Sequence, residues 1–253
     1  SLRCSRSALL TFLEDRGLPW IDDPSNADAR FERVRVREAM PALDALGLSV
    51  ARLAGTAETL RGASDVVQHQ VHSLAQSAAR PLPAGCIQLD RGLLLRALPE
   101  VRLRLLAAAL DWIAYAVHPP RLTALKELDV ALSLPPSHRT LHGCSGLIRR
   151  DSVWILREAA RLGPEVPAGD DWDGRWTTSA EVPDLHVAAL GEAGVRQLAD
   201  WRAHGLPREA LAATPAFWKE GALIAAPFAN LGKDCHVRLR AGPSDFFVDL
   251  ALR

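Results

Sequence analysis

The sequence predicts a mainly α protein with added α+β parts. Apolar residues recur at helical spacing up to about residue 134, and short alternating segments follow them. The linker Gly163–Asp171 then introduces a region in which strand and helix patterns mix. A chain of 253 residues with 48% hydrophobic residues has enough apolar material for a sizeable core. Together these features predict a mainly helical first part and a smaller α+β module after the linker.

The N-terminal part is predicted to hold three helices. The first covers residues 8–16 and ends at Gly17, and the second covers 28–46, where Asn26 or Asp28 can cap its start. The third helix has the clearest pattern, because its apolar positions alternate by three and four over about four heptads. These positions are Val50, Leu53, Ala57, Leu60, Ser64, Val67, Val71, Leu74 and Ala78.

Later segments are shorter and change period. Helices are predicted at residues 90–97, 99–117 and 123–134, and a small antiparallel sheet at 140–143, 147–150 and 152–157. Pro81 and Pro83 are interpreted as breakers after the long helix. After the linker, one helix is expected near 192–203, and strands at 172–178, 184–189, 222–226, 236–240 and 246–252.

Composition excludes several classes of protein. The chain has 30 Lys plus Arg and 30 Asp plus Glu, so it is not a uniformly basic nucleic-acid-binding protein. This balance still allows a local basic face. No apolar run is long enough for a membrane span, so no membrane partner is expected. The four cysteines form no Cys-x-x-Cys pair, which predicts neither a disulfide framework nor a metal site and favours the cytoplasm.

Arg30, Arg33 and Arg37 are spaced to share one face of the second helix. Three guanidinium groups near a helix start can clamp a phosphate or stabilise developing negative charge. The same residues can also form a solvated face paired with Glu32 or Glu38. The spacing alone leaves both interpretations open.

Two later groups could contact RNA. The predicted hairpin carries Arg149 and Arg150, so it is either a phosphate-binding hairpin or a plain structural one. Trp172 and Trp176 flank Arg175 and either stack on bases or belong to the core. The sequence contains no dinucleotide-binding, Walker, zinc-protease or nucleophile-elbow motif, so no self-contained active site is predicted.

An ordered series of motifs begins with Leu18-Pro-Trp-Ile-Asp-Asp-Pro-Ser-Asn26 and continues with Arg30-Phe-Glu-Arg33, Arg35-Val-Arg37 and Met40-Pro41. This series resembles the tRNA(Ile)-lysidine synthetases. Two further stretches are similar to that family. Arg139-Thr-Leu-His-Gly-Cys144 with Ile155-Leu-Arg-Glu158 resembles a hairpin of its second domain, and Trp172-Asp-Gly-Arg175 resembles the start of its last domain. Val34 departs from the pattern, since the family has Asn there.

The resemblance implies three parts: residues 1–47 as the helical end of a catalytic PP-loop domain, 48–162 as a helical tRNA-binding domain with a small β-hairpin sheet, and 163–253 as a C-terminal α+β domain. It also implies an ATP-dependent ligase that uses ATP with Mg²⁺ and joins lysine to the wobble cytidine of the CAU-anticodon isoleucine tRNA. The family's ATP-binding loop, Ser-Gly-Gly-x-Asp-Ser, is missing from this sequence. We therefore expect a fragment that is inactive alone.

Site residues follow from the same resemblance. Arg33 and Arg37 match the two family arginines and are expected to be catalytic, while Asp23 and Asn26 are expected to support their loop. The predicted RNA contacts are Arg30, Arg149, Arg150 and Arg175. Two alternatives stay open, namely a free-standing RNA-binding module without catalysis and a helical scaffold that dimerises through the stripe of residues 50–78.

Overall fold

The structure, a computed structural model, describes residues 6–21, 28–116 and 118–252, with only the backbone of residues 6, 7 and 252. The chain forms two compact units, Ser1–Ala63 and Ser64–Arg253, here called the N-terminal and C-terminal units. About 48% of the structure is helical and 22% is strand, so the fold is mixed α+β with helix in excess. The predicted three-part division stays a prediction.

Among the described residues of the N-terminal unit, the regular secondary structure is helical. It contains α1 (Arg6–Glu14), α2 (Glu32–Ala45) and the first half of α3 (Val50–Ala78). The prediction of the long third helix is confirmed over its full length. Its first half leaves apolar side chains in solvent, as Val50 is 67% and Leu60 is 65% exposed.

The first part of the C-terminal unit packs helices on a five-stranded antiparallel sheet. Its strand order is β1-β2-β5-β4-β3, which makes β1 and β3 the edge strands. The strands are β1 (Ala79–Leu82), β2 (Cys86–Asp90), β3 (Ser137–Leu141), β4 (Cys144–Ile148) and β5 (Ser152–Arg157). The helices are α4 (Arg91–Arg96), α5 (Pro99–Ala114) and α6 (Leu122–Ala131).

Shorter elements follow the linker. A four-stranded sheet has the order β10-β9-β8-β6, and a separate pair joins β11 to β7. These strands are β6 (Val166–Pro167), β7 (Trp176–Ala180), β8 (His186–Ala189), β9 (Pro215–Lys219), β10 (Ala222–Ala225) and β11 (Cys235–Leu239). The helices are α7 (Gly191–Gln197), α8 (Arg208–Ala212) and α9 (Pro243–Leu252).

One cluster of buried apolar side chains runs through the C-terminal unit from Val71 to Leu250. It includes Leu105 and Ile113 of α5, together with Phe217 of β9, all fully buried. Residues before and after the linker therefore share one core. A shared core of this kind makes the two sides of the linker depend on each other for stability.

Several sequence predictions need correction. The segment 246–252 was predicted as a strand, but it forms α9, because Phe246 and Leu250 lie one helical turn apart and are both buried. Strands β1 and β2 were missed, since Pro81 was interpreted as a breaker. Pro81 lies on an edge strand, where the missing N–H group removes no required hydrogen bond.

In the predicted antiparallel sheet, the strand at 152–157 is confirmed as β5, but the strands at 140–143 and 147–150 lie about three residues earlier, as β3 and β4. The turn that joins β3 to β4 consists of His142 and Gly143, which both have left-handed backbone angles, φ 54° and 70°. The strand expected from Trp172 begins only at Trp176. Residues 172–175 form a turn instead, in which the Trp172 and Trp176 backbones hydrogen-bond to each other.

Candidate functional site

Arg33 and Arg37 lie one turn apart on α2, so their side chains extend from the same face of the helix. Both are exposed, whereas Val34 between them is only 4% exposed. The Arg33 guanidinium lies over the ring of Phe31, with 4.5 Å from Cζ to the ring centroid. Arg33 and Arg37 are thus both exposed on one face of α2, beside the buried Val34.

Arg30 does not belong to this face. Helix α2 begins at Glu32, so Arg30 lies in the preceding turn, where its Nη2 is 2.6 Å from Asp28 Oδ2. Hydrogen bonding between the two side chains lowers the pKa of Asp28 and raises the pKa of Arg30. The prediction of three arginines on one helical stripe is wrong, and the cap expected from Asp28 is absent because its carboxylate binds Arg30.

The predicted loop residues Asp23 and Asn26 lie outside the described residues. Their expected role in supporting α2 stays a prediction.

Arg149 and Arg150 lie in the exposed turn between β4 and β5. Arg91 holds this turn, because its Nη1 donates to the backbone oxygens of Arg149 at 2.9 Å and Arg150 at 3.3 Å. Its Nε donates to the backbone oxygen of Leu132 at 2.7 Å, which ties the turn to the end of α6. The turn therefore presents its two arginines from a fixed backbone.

The Arg149 side chain keeps much of its freedom. Its Nη2 is 3.5 Å from Glu209 Oε1, and the two side chains are 53% and 46% exposed. A pair of this kind contributes little to stability and competes weakly with a phosphate. Both turn arginines are thus placed where an RNA strand could reach them.

Arg175 lies in the interior, unlike the other predicted RNA contacts. It is 3% exposed, and its Nη2 donates to the backbone oxygen of Gly85 at 3.1 Å. Burial lowers its pKa to about 10. Trp172 and Trp176 are 0% and 1% exposed, so their rings are core groups with no face open for a base. A phosphate contact requires an exposed guanidinium, and the Arg175 side chain is buried instead.

The two later family-like stretches meet in space. Arg157, at the end of β5, forms an ion pair with Asp173, with 3.1 Å between Nε and Oδ2. Asp173 also accepts a hydrogen bond from the backbone N–H of Gly163 at 3.0 Å. The Trp172–Arg175 turn is therefore a joint between the five-stranded sheet and the region beyond the linker.

Sequence reasoning missed Arg91, because its partners lie 41 to 59 positions away in the chain. No local periodicity can reveal such contacts. Its one signal was its place directly after Asp90, whose side chain caps α4 through the Leu93 N–H. That cap fixes the start of α4, and with it the position of Arg91.

The expected use of ATP with Mg²⁺ stays a prediction. The loop Ser-Gly-Gly-x-Asp-Ser is absent from the sequence. Among the described residues, no group of three or more His, Cys, Asp or Glu side chains is arranged to hold a metal ion. In the same part of the chain, no helix is both long and apolar enough to cross a bilayer.

The fold is mixed α+β, and it carries two exposed pairs of arginines, Arg33 with Arg37 and Arg149 with Arg150. No protein-family model matches the chain. It is 35% identical to the tRNA(Ile)-lysidine synthase of Ruegeria pomeroyi, over 98% of this chain and 59% of that protein. It is 32% identical to the protein of the same name in Mesorhizobium japonicum, over 90% of this chain and 49% of that protein. It is 38% identical to the one in Methylobacterium nodulans, over 51% of this chain and 39% of that protein.

The chain is thus homologous to the tRNA(Ile)-lysidine synthases, and the resemblance found in its motifs is confirmed. It spans about half the length of these relatives.

Proposed function

We propose that this chain is part of a tRNA(Ile)-lysidine synthase and supplies tRNA-binding surfaces together with two catalytic arginines. The observation that carries the proposal is the 35% identity to a relative of that name over 98% of the chain. The enzyme would join lysine to the wobble cytidine of the CAU-anticodon isoleucine tRNA through an adenylated intermediate. Binding of ATP and Mg²⁺ is assigned to a part of the enzyme outside this sequence.

Arg33 and Arg37 support the catalytic part of the proposal. Adenylation and the later departure of AMP both place negative charge on phosphate oxygens, and preorganised cations stabilise such charge. The two guanidinium groups extend from one face of α2, and the ring of Phe31 holds one of them. The lysine ε-amine, as the nucleophile, would displace AMP from the activated cytidine.

Arg149 and Arg150 support the binding part. Both are exposed on a turn that Arg91 fixes, so a phosphate contact would order only their side chains. Proteins recognise folded RNA largely through its shape and its phosphates, which suits a rigid basic turn. Arg30, 88% exposed and paired with Asp28, is a further candidate contact.

The test measures binding and chemistry separately. We expect this polypeptide to bind the isoleucine tRNA more tightly than a single-stranded RNA of equal length, with an affinity that falls as salt rises. Labelled lysine should enter the CAU tRNA in reactions with ATP and the complete enzyme, but not with this polypeptide alone. Lysine incorporation by this polypeptide alone, or equal binding of both RNAs, would contradict the proposal. Binding without incorporation by the complete enzyme would favour the non-catalytic RNA-binding module.

A further inference from the structure

A cleft of about 650 Å³ lies beside the turn between β3 and β4. Its walls include Arg121, Thr140, His142, Gly143, Arg157 and Arg161. Among the described residues that line it, none is Asp or Glu. The cleft is therefore cationic, although the whole chain has a formal charge of zero.

Two of its arginines are available to a ligand. Arg121 and Arg161 are exposed, and neither guanidinium forms an ion pair or hydrogen bond with the part of the chain that the structure describes. Arg157 instead is paired with Asp173 and donates to the backbone oxygens of Gly143 and Arg161. Arg157 is thus part of the wall, while the charges of Arg121 and Arg161 form no ion pair with the described residues.

The start of α6 adds a second source of positive potential. Arg121 is the N-cap residue, and no side chain caps this end of the helix. The first backbone N–H groups of a helix have no partner within it and carry the positive end of its dipole. Ala124, in the first turn, lines the cleft, so these N–H groups lie at its edge. Uncapped N–H groups beside two arginines favour an anion.

The turn between β3 and β4 also lines the cleft. His142 and Gly143 form the β3–β4 turn, and a Cβ atom added at Gly143 would lie 3.0 Å from Arg157 Nη1. His142 Nε2 is buried, 3.4 Å from Asp111 Oδ1, and makes no hydrogen bond with the described residues. The His142 imidazole nitrogen is therefore directed at Asp111, and the exposed Thr140 is the uncharged polar residue that lines the cleft beside the turn.

We propose that this cleft binds a phosphate group, held by Arg121, Arg161 and the backbone N–H groups at the start of α6. The inference deepens the proposed function, on which it rests, by assigning an RNA phosphate to a second place on the molecule. That place lies at the other end of β4 from Arg149, roughly 20 Å away at the usual rise of a strand. A free nucleotide could supply the same phosphate chemistry.

The first experiment compares charge-matched double variants of this polypeptide. Arg121→Ala with Arg161→Ala should weaken binding of the isoleucine tRNA on the order of tenfold for each charged hydrogen-bonding group removed. Arg80→Ala with Arg238→Ala is the control, since both residues are exposed and lie on β1 and β11, away from the cleft. The control should change the affinity less than threefold, about the size of a minor surface effect. Equal loss in both double variants would overturn the RNA assignment.

The second experiment identifies the source of the phosphate. Inorganic phosphate and AMP are titrated while the amide NMR signals of residues 122–124 are followed. We expect both probes to shift these signals in the wild-type chain and in the control, but not in the Arg121→Ala, Arg161→Ala variant. Shifts together with lost tRNA affinity support an RNA phosphate, and shifts with unchanged tRNA affinity support a free nucleotide. Absence of shifts and unchanged tRNA affinity would reject the cleft as a phosphate site.

The two proposals can fail separately. A wild-type chain that binds no tRNA would contradict the proposed function, and the phosphate titration would still test the cleft. Thermal unfolding of each variant shows whether the fold is intact, which we expect because all four substituted side chains are exposed.

Discussion

Arg157 and Asp173 form a largely buried ion pair that joins the five-stranded sheet to the turn beyond the linker. Their side chains are 16% and 3% exposed, and two guanidinium nitrogens contact the carboxylate, at 3.1 and 3.3 Å. Asp173 has a left-handed backbone conformation, with φ 52°. One carboxylate thus fixes both the end of β5 and the start of the region after Gly163.

Removal of this carboxylate should destabilise the C-terminal unit strongly. Asp173→Ala leaves the Arg157 charge buried without its partner, so the free energy of unfolding should fall by about 3 kcal/mol. Asp171→Ala is the matched control, because Asp171 pairs with Arg240 at 2.7 Å where both side chains are about half exposed. That variant should lose less than about 1 kcal/mol. Urea unfolding measures both, and similar losses would show that the buried pair has no special role.

Gly85 should not tolerate a side chain. Its φ is +74°, and a Cβ atom there would lie 2.7 Å from Cζ2 of the buried Trp176. Gly85→Ala should therefore cost more than the ~1–2 kcal/mol of a left-handed alanine alone. Gly205→Ala has a similar φ, +68°, with open space around its Cβ position, so it should show only the backbone cost. Equal losses in urea unfolding would mean that the Trp176 ring moves aside freely.

Arg33 and Arg37 should affect chemistry more than binding. In the complete enzyme, Arg33→Ala or Arg37→Ala should slow adenylation of the tRNA by about 10²-fold, as expected when a group that stabilises transition-state charge is removed. The affinity for tRNA should change much less. Arg35→Ala is the control, since Arg35 is exposed on another face of α2. Equal losses of rate and affinity would instead show that the two arginines only bind a phosphate of the tRNA.

The thiols of Cys86 and Cys144 should be unreactive in the folded protein. Burial raises the pKa of each to about 12, and the two residues are 1% and 0% exposed. In a Cys4→Ser, Cys235→Ser variant, a thiol reagent at pH 8 should react slowly, at a rate set by opening of the fold. Addition of urea should bring the reaction to the rate of a free thiol. Fast labelling without urea would contradict the burial of these residues.

The same shift predicts a pH dependence of stability. In the unfolded chain these thiols ionise near pH 9.0, whereas in the folded chain they stay protonated up to about pH 12. The folded state therefore loses stability as pH rises from 9 toward 12, since ionisation favours the unfolded chain. Denaturant unfolding at pH 8 and pH 10 should show a larger fall for the wild type than for Cys86→Ala.

Local patterns predicted local structure well. The spacing from Val50 to Ala78 predicted α3, because each apolar position depends only on residues three or four away. The pattern at Phe246, Val248 and Leu250 was ambiguous, since alternation by two also contains a spacing of four. The core resolved it: Phe246 and Leu250 are buried, and Val248 is 55% exposed. In a strand all three side chains would lie on one face, whereas in a helix Phe246 and Leu250 share a face and Val248 does not.

The candidate site likewise has one feature that local sequence predicts and one that depends on a distant contact. The shared face of Arg33 and Arg37 was predictable from a spacing of four. The burial of Arg175 was not, because it depends on the backbone oxygen of Gly85, 90 positions earlier in the sequence. A charged residue is assigned to the surface by default, and only a distant partner makes its burial possible.

Helix α9 determines when the core can close during synthesis. Phe246 packs edge-on against Trp112 of α5, with ring centroids 6.1 Å apart, and the Leu250 backbone oxygen accepts a hydrogen bond from Gln68 on α3. A ribosome makes α3 and α5 long before residues 243–252, so a nascent chain carries an unfinished apolar surface around Trp112. Folding of the C-terminal unit is thus completed only after α9 has been made. Until then the exposed apolar surface is a binding site for chaperones that shield such segments.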